Sequence, residues 1–189
     1  PSDMQYYNGI LPTGEPDRVY MAIDPAFGGG DFVASPLCVQ FGDQIYVPAV
    51  VFNNGDKTIT QPKLASMAKQ YSATLAQAEA NKSTASYAEG LEEEMRKIGC
   101  NTTVVTKPAN NQKSKEQRIY DRAPDIRAHF VFLESGLRSR EYELFMQNVF
   151  SFKISGKNKH DDAPDSLTQA SEMAFRPYTN NVRIFRRPF

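Results

Sequence analysis

The fold is decided by residues 18–52, RVYMAIDPAFGGGDFVASPLCVQFGDQIYVPAVVF. Within this stretch Arg18 to Asp24 (RVYMAID) reads as a strand, and the DPAFGGGD that overlaps its end reads as a tight glycine-rich loop. Val33 to Phe41 and Gln44 to Phe52 are two β-rich runs, with Gly42-Asp43 between them as a hairpin signal. Pro36 and Pro48 inside these runs argue for edge positions or bulges, because proline cannot donate to a strand ladder. Three such strands in succession form an antiparallel meander.

Beyond Phe52 the hydrophobic period changes to that of a helix. Gln61 to Tyr71 places Leu64, Met67, Ala68 and Tyr71 on one helical face. Ala73 to Glu79 is short enough for a buried strand. Ser86 to Ile98 turns Tyr87, Leu91, Met95 and Ile98 inward and is stopped by Gly99. Thr102 to Thr106 is the next strand, and a lysine-rich segment, Asn110 to Arg127, leads to the apolar run Phe130–Leu133. Ser139 to Phe150 is an amphipathic helix with Leu144, Phe145 and Val149. HDDAPDSLTQASEMAF, residues 160–175, is a last helix opening on acids. A meander followed by strands alternating with helices is an α/β pattern. The expected architecture is a mixed sheet, antiparallel in its first three strands and parallel thereafter, flanked by helices. Residues 1–17 are punctuated by Pro and Gly and read as a linker or lead-in, residues 18–176 as one domain, and residues 177–189 as a basic tail.

The bulk numbers agree with one domain: 189 residues, 40% hydrophobic and 23% charged. No apolar run approaches the length of a membrane span, and no basic-then-apolar leader opens the chain. It begins at Pro1, which suggests a piece of something longer. Cys38 and Cys100 lie in or beside apolar segments without metal-ligand spacing and read as free thiols of a reducing cytoplasm. The net charge of zero hides an asymmetry. Residues 1–100 hold 7 Lys/Arg against 12 Asp/Glu, and residues 101–189 hold 15 against 10. The basic half can hold a polyanion close to acids supplied by the other half.

Those acids stand at separated element ends. Asp24 ends the first strand, Glu79 ends a later one, and Asp162 and Asp165, three apart, share one face of the last helix. Hard divalent cations take oxygen ligands, and two of them roughly 3.5–4 Å apart can stabilise both oxygens of an in-line phosphoryl displacement. Each acid also has an ordinary reading. Asp24 before Pro25 is a common turn former, Glu79 a surface residue at a strand end, and Asp161, Asp162 and Asp165 capping acids with Pro164 in the tolerated first turn. The case for chemistry lies in the set and its order along the chain.

Three motifs resemble the nuclease domain of viral, bacteriophage terminase large subunits. MAIDPAFGGGD resembles the family's first acidic motif, AQAEANKSTASYAEGLEEEMRKIG its second, and KHDDAPDSLTQAS its third, while KSKEQRI resembles the basic segment between them. The resemblance spans about Arg18 to Phe175 and implies a ribonuclease H-like fold. It also implies a Mg²⁺- or Mn²⁺-dependent endonuclease that cuts double-stranded DNA during genome packaging, with two metal ions and little sequence specificity. Carried over by position, it implies Asp24, Glu79 and Asp162 as the metal-binding and catalytic triad, with Asp165 as a fourth acid. Asp31, Asp161 and His160 are accessory candidates, whereas His129, before an apolar run, reads as structural. No GxxxxGK[S/T] phosphate loop occurs, so the upstream ATPase motor that the family carries is expected outside this chain. The portal and the small terminase subunit are the other implied partners, and the cytoplasm of the infected host cell the implied location.

For the DNA itself the candidates are Lys107, Lys113, Lys115, Arg118, Lys157 and Lys159, since phosphate contacts position a duplex without reading its sequence. The ordinary alternative is a solvated helix face. Two rival functions stay in view: a resolvase- or transposase-like enzyme of the same fold, and a non-catalytic DNA-binding or portal-docking module.

Overall fold

The computed structural model describes residues 3–26, 30–80, 84–108, 113–153, 158 and 161–175. Its strands are β1 (Gln5–Tyr7), β2 (Arg18–Ile23), β3 (Val33–Phe41), β4 (Gln44–Asn53), β5 (Leu75–Ala80), β6 (Thr103–Pro108) and β7 (Phe130–Leu133). Its helices are α1 (Lys57–Gln70), α2 (Thr84–Lys97), α3 (Lys115–His129), α4 (Arg140–Ser151) and α5 (Asp162–Phe175). The seven strands form one sheet in the order β1-β7-β4-β3-β2-β5-β6. The β2-β3 and β3-β4 pairs are antiparallel, while β5 and β6 extend the sheet in parallel on one side and β7 and β1 on the other. This is the expected meander with parallel extensions.

Local chemistry explains the joints. Gly42 takes a positive φ of 57°, which permits the two-residue turn that pairs Phe41 with Gln44. Gly99, at φ 65°, ends α2 in a Schellman motif: Cys100 N–H donates to Met95 O at 2.8 Å and Gly99 N–H to Arg96 O at 3.1 Å. For Pro48 the bulge is the reading realised, whereas Pro36 pairs with Val50 in regular register on an interior strand and meets neither expectation. Both β3 and β4 are interior, and the β3–β4 register shifts between Leu37 and Val39, opposite Pro48.

The sheet is buried on both faces. Val19, Met21 and Ile23 of β2 join the core beneath α1 and α2, with Leu64, Ala68, Leu91 and Met95. Tyr20 and Ala22 join the opposite core with Phe130, Phe132, Tyr142, Phe145 and Leu167. Alternation along β2 therefore sends its next even residue, Asp24, to the α5 side.

Two segments differ from expectation. Within the lead-in, Gln5–Tyr7 forms β1 beside β7. The lysine-rich segment is largely the helix α3, capped by Ser114, whose side chain accepts from Gln117 N–H at 3.2 Å. Its apolar signal is thin because Ile119 and Ile126 are its main buried hydrophobics, and Pro124 interrupts the sequence pattern.

Candidate active site

Asp24 lies just past β2, fixed by reciprocal backbone bonds with Ala34: N–H to Ala34 O at 2.9 Å, and Ala34 N–H to Asp24 O at 3.0 Å. Glu79 lies on the neighbouring strand β5, which pairs with β2 in parallel. Ala76 and Ala78 face the α1/α2 core, so Glu79 and Gln77, of opposite parity, face α5 with Asp24. The first turn of α5 supplies Asp162 and Asp165, with Asp161 immediately before it. The start of α5 is served from elsewhere: Asn148 of α4 accepts from Ala163 N–H at 3.1 Å. The acidic side chains turn toward the sheet and α3. Asp162 Oδ2 accepts from Phe32 N–H at 3.3 Å, and Phe32 is stacked on Phe52 with ring centroids 4.4 Å apart. That ties the loop after Asp24 to the α5 carboxylates.

Two cations of α3 stand among these acids. Lys115 Nζ lies 3.4 Å from Asp24 Oδ2, 2.8 Å from Asp161 Oδ1 and 3.4 Å from Asp165 Oδ2. One turn on, Arg118 reaches Glu79 Oε2 through Nη1 at 3.3 Å and Asp165 Oδ1 through Nη2 at 3.4 Å. Carboxylates from β2 and α5 thus meet at Lys115, and those of β5 and α5 meet at Arg118, so the two cations stand where positive charge is needed. Among the described residues no three acidic, His or Cys side chains are closed into a ready ligand set; the two α3 cations hold the acids in this arrangement.

The electrostatics follow. Burial, then the neighbouring Asp165, Asp162 and Glu79, push the Asp24 carboxyl up to about 8 against the opposing Lys115. Burial raises Asp165 as well, with Glu79 adding to it and Lys115 and Arg118 opposing. Asp162 is raised by burial, opposed by the Phe32 N–H bond. For Lys115 burial works downward, but Asp24, Asp165 and Asp161 outweigh it and its pKa is raised.

The expected site residues thus distribute unevenly. Asp24, Glu79, Asp162, Asp165 and Asp161 converge, and Asp31 is exposed beside them, close enough to act on Asp162. Lys115 and Arg118, expected along a DNA track, point into the acid cluster. Lys107 pairs with Glu172 at 3.4 Å, and Lys113 pairs with Asp121 on the exposed side of α3. His160, Lys157 and Lys159 lie outside the described residues. The sequence reading missed Asn148, Gln169 and Glu172. For the last two a signal existed, the polar stripe Asp165, Gln169, Glu172 at helical spacing on an otherwise apolar helix.

A meander continued by parallel strands, with acids on the first strand, on the adjacent parallel strand and on the last helix, defines a ribonuclease H-like domain. Residues 23–129, more than half of the chain, match the family described as Terminase Bacteriophage T7, Ribonuclease H-like domain. The chain belongs to this family. No curated protein matches it by sequence. Among solved structures it is similar to the human cytomegalovirus terminase nuclease domain, Mn soaked and inhibitor bound, at 12% identity, TM-score 0.59 and 90% coverage of each chain. It is also similar to the nuclease domain of the large terminase subunit of bacterial virus Sf6, at 13% identity and TM-score 0.57, covering 84% of this chain and 89% of that one. A third likeness is the large terminase of a thermophilic bacteriophage in complex with ADP, at 10% identity and TM-score 0.61, covering 94% of this chain and 44% of that one. At such identities the likeness is one of fold. No helix among the described residues is long and apolar enough to cross a membrane.

Proposed function

We propose that the chain is the nuclease of a viral DNA-packaging enzyme, an endonuclease that cuts double-stranded DNA with little sequence preference and depends on two divalent ions, Mg²⁺ or Mn²⁺. The observation that carries this reading is the gathering of Asp24, Glu79, Asp162 and Asp165 from three elements close enough to act on one another, with Lys115 between Asp24 and Asp165 and Arg118 between Glu79 and Asp165. The donor set is all carboxylate oxygen, which suits hard divalent ions. Among the similar structures, the cytomegalovirus domain was soaked with Mn, and variants of the Sf6 domain were solved with manganese and with calcium.

Asp24 would serve both ions, Glu79 and Asp162 one each, with Asp165 as a fourth acid. Ions held there supply an activated water and neutralise charge on the attacking and leaving oxygens of the phosphodiester. The chain's own part is placement. The Ala34 bonds fix the Asp24 backbone, Phe32 N–H orients Asp162, and Arg118 holds Glu79 against Asp165. Lys113, exposed, is available to the DNA phosphates. An ATPase motor elsewhere in the assembly, the portal and the small terminase subunit complete the proposed setting, in the host cytoplasm.

Supercoiled plasmid incubated with Mg²⁺ or Mn²⁺ is expected to be nicked and linearised, and excess EDTA to stop it. Asp24→Asn, Glu79→Gln and Asp162→Asn should each lower the rate by about 100-fold or more, the scale on which losing a transition-state contact is felt. Undiminished cutting in EDTA would remove the metal mechanism. Preference for four-way junctions over linear duplex would favour a resolvase.

A further inference from the structure

Beneath the acid cluster lies a polar layer that an ordinary helix–sheet contact does not contain. Asp165, Gln169 and Glu172 occupy one face of α5. With Gln77 and Glu79 of β5, Lys107 of β6 and Arg118 of α3, the last two of these α5 residues enclose a cavity of about 20 Å³. Gln169 is 4% exposed and Arg118 8%. Among the described residues, both ends of the Gln169 amide, Nε2 and Oε1, lack a hydrogen-bond partner, and so does Arg118 Nε. Buried amides and guanidinium groups are almost always hydrogen-bonded. A cavity of this size holds about one water, and a polar lining favours filling it.

We propose that Gln169 is a positioning residue for the metal centre: with Arg118 it binds one ordered water that holds the Glu79 carboxylate in its ion-facing orientation. This rests on the metal-centre reading above. The water accepts from Arg118 Nε and the Gln169 amide and donates to the carboxylates that line the cavity. Glu79 is then held on two sides, directly by Arg118 Nη1 at 3.3 Å and through the water. Groups that orient a ligand from behind tune metal affinity by about 10- to 100-fold without touching the ion.

The rival account is that Gln169 is a tolerated buried amide with no bearing on the site, and the two accounts predict opposite results for Gln169→Met, which keeps the length and removes the polar atoms. The test is Mn²⁺ binding to the full 189-residue chain, followed by calorimetry and by the Mn²⁺ electron paramagnetic resonance signal, alongside thermal unfolding without metal. The expected result is an affinity about tenfold weaker with no rise in metal-free Tm. Unchanged affinity with a raised Tm overturns the proposal while leaving the metal centre intact. Wild-type protein that binds no Mn²⁺ overturns both. Should Gln169→Met fail to fold, Gln169→Asn, which keeps the amide but cannot reach the cavity, is read by the same affinity criterion.

Discussion

Asp24 shows how one residue joins strand geometry to charge. Its backbone belongs to the sheet, through Ala34, and its side chain to the acid cluster, through Lys115. Its carboxyl is pushed up to about 8 by burial and by the acids around it. A carboxyl raised in this way keeps a proton in the folded chain that the unfolded chain has already released. Its contribution to metal-free stability is therefore harmless below the ordinary aspartate value of about 4, declines as pH rises, and reaches its full cost above about 8. Asp24→Asn removes the cost and leaves Lys115 with Asp161 and Asp165. Urea unfolding in chelator at pH 4, 6 and 8.5 should show the variant gaining on the wild type as pH rises. A stability difference independent of pH would show that Asp24 is not held protonated.

At the scale of elements, the site depends on how α4 and α5 are seated. Tyr142 of α4 donates to Val47 O at 2.6 Å and accepts from Leu133 N–H at 3.2 Å, tying the helix to β4 and β7. Asn148, six residues on, then receives the start of α5. At the other end of α4, Glu141 accepts from Phe52 N–H, Asn53 Nδ2 and Lys63 Nζ, joining α4, β4 and α1. Burial alone would raise this carboxyl, but the bonds from Lys63, Asn53 and Phe52 outweigh it and lower its pKa. A depressed carboxyl contributes stability that is present above the ordinary glutamate value and lost as pH falls through its folded value. Glu141→Gln should cost about 1 kcal/mol at pH 7, allowing for the solvent that still reaches Lys63, and less near pH 3. Denaturant midpoints at the two pH values measure this. An equal loss at both would mean that the charge of Glu141 is irrelevant to the joint.

For the whole molecule the arrangement of charge matters more than its zero sum. The later, basic half of the chain does approach the acids of the earlier half, as Lys115 with Asp24 and Arg118 with Glu79. Those two cations are spent inside the site, and Lys107 is engaged with Glu172, so the described surface leaves a smaller basic track than residue counting suggests. Lys113 remains on the outside, in an exposed pair with Asp121 that solvent screens. Lys113→Ala should weaken binding of linear duplex in Ca²⁺ and flatten its salt dependence by about one unit of slope, the value of one lost phosphate contact. Mn²⁺ affinity should not change. Identical salt slopes, with binding measurable in both proteins, would place Lys113 on a solvated face away from DNA.

By itself the sequence determined the meander, the helical crossovers and the set of acids. Each is a local pattern: period-two runs around Gly42-Asp43, period-3.6 runs closed by Gly99, carboxylates at element ends. It was silent where local pattern is weak. The strand β1 has three residues and exists because β7 offers it a partner edge. The helix α3 has few apolar residues, and its cap at Ser114 and its ion pairs to β2, β5 and α5 do what a hydrophobic face does elsewhere. Only the tertiary structure decided where the basic residues point. A lysine in sequence is a charge on a flexible stem, equally suited to a phosphate or a carboxylate. The packing of α3 against α5 brings three acids to Lys115 and two to Arg118, and short distance in a partly dry site outweighs the pull of solvent. The buried amide of Gln169 was decided in the same way: a helix stripe reads as polar in any sequence, but only the sheet beneath it shows that the stripe faces inward.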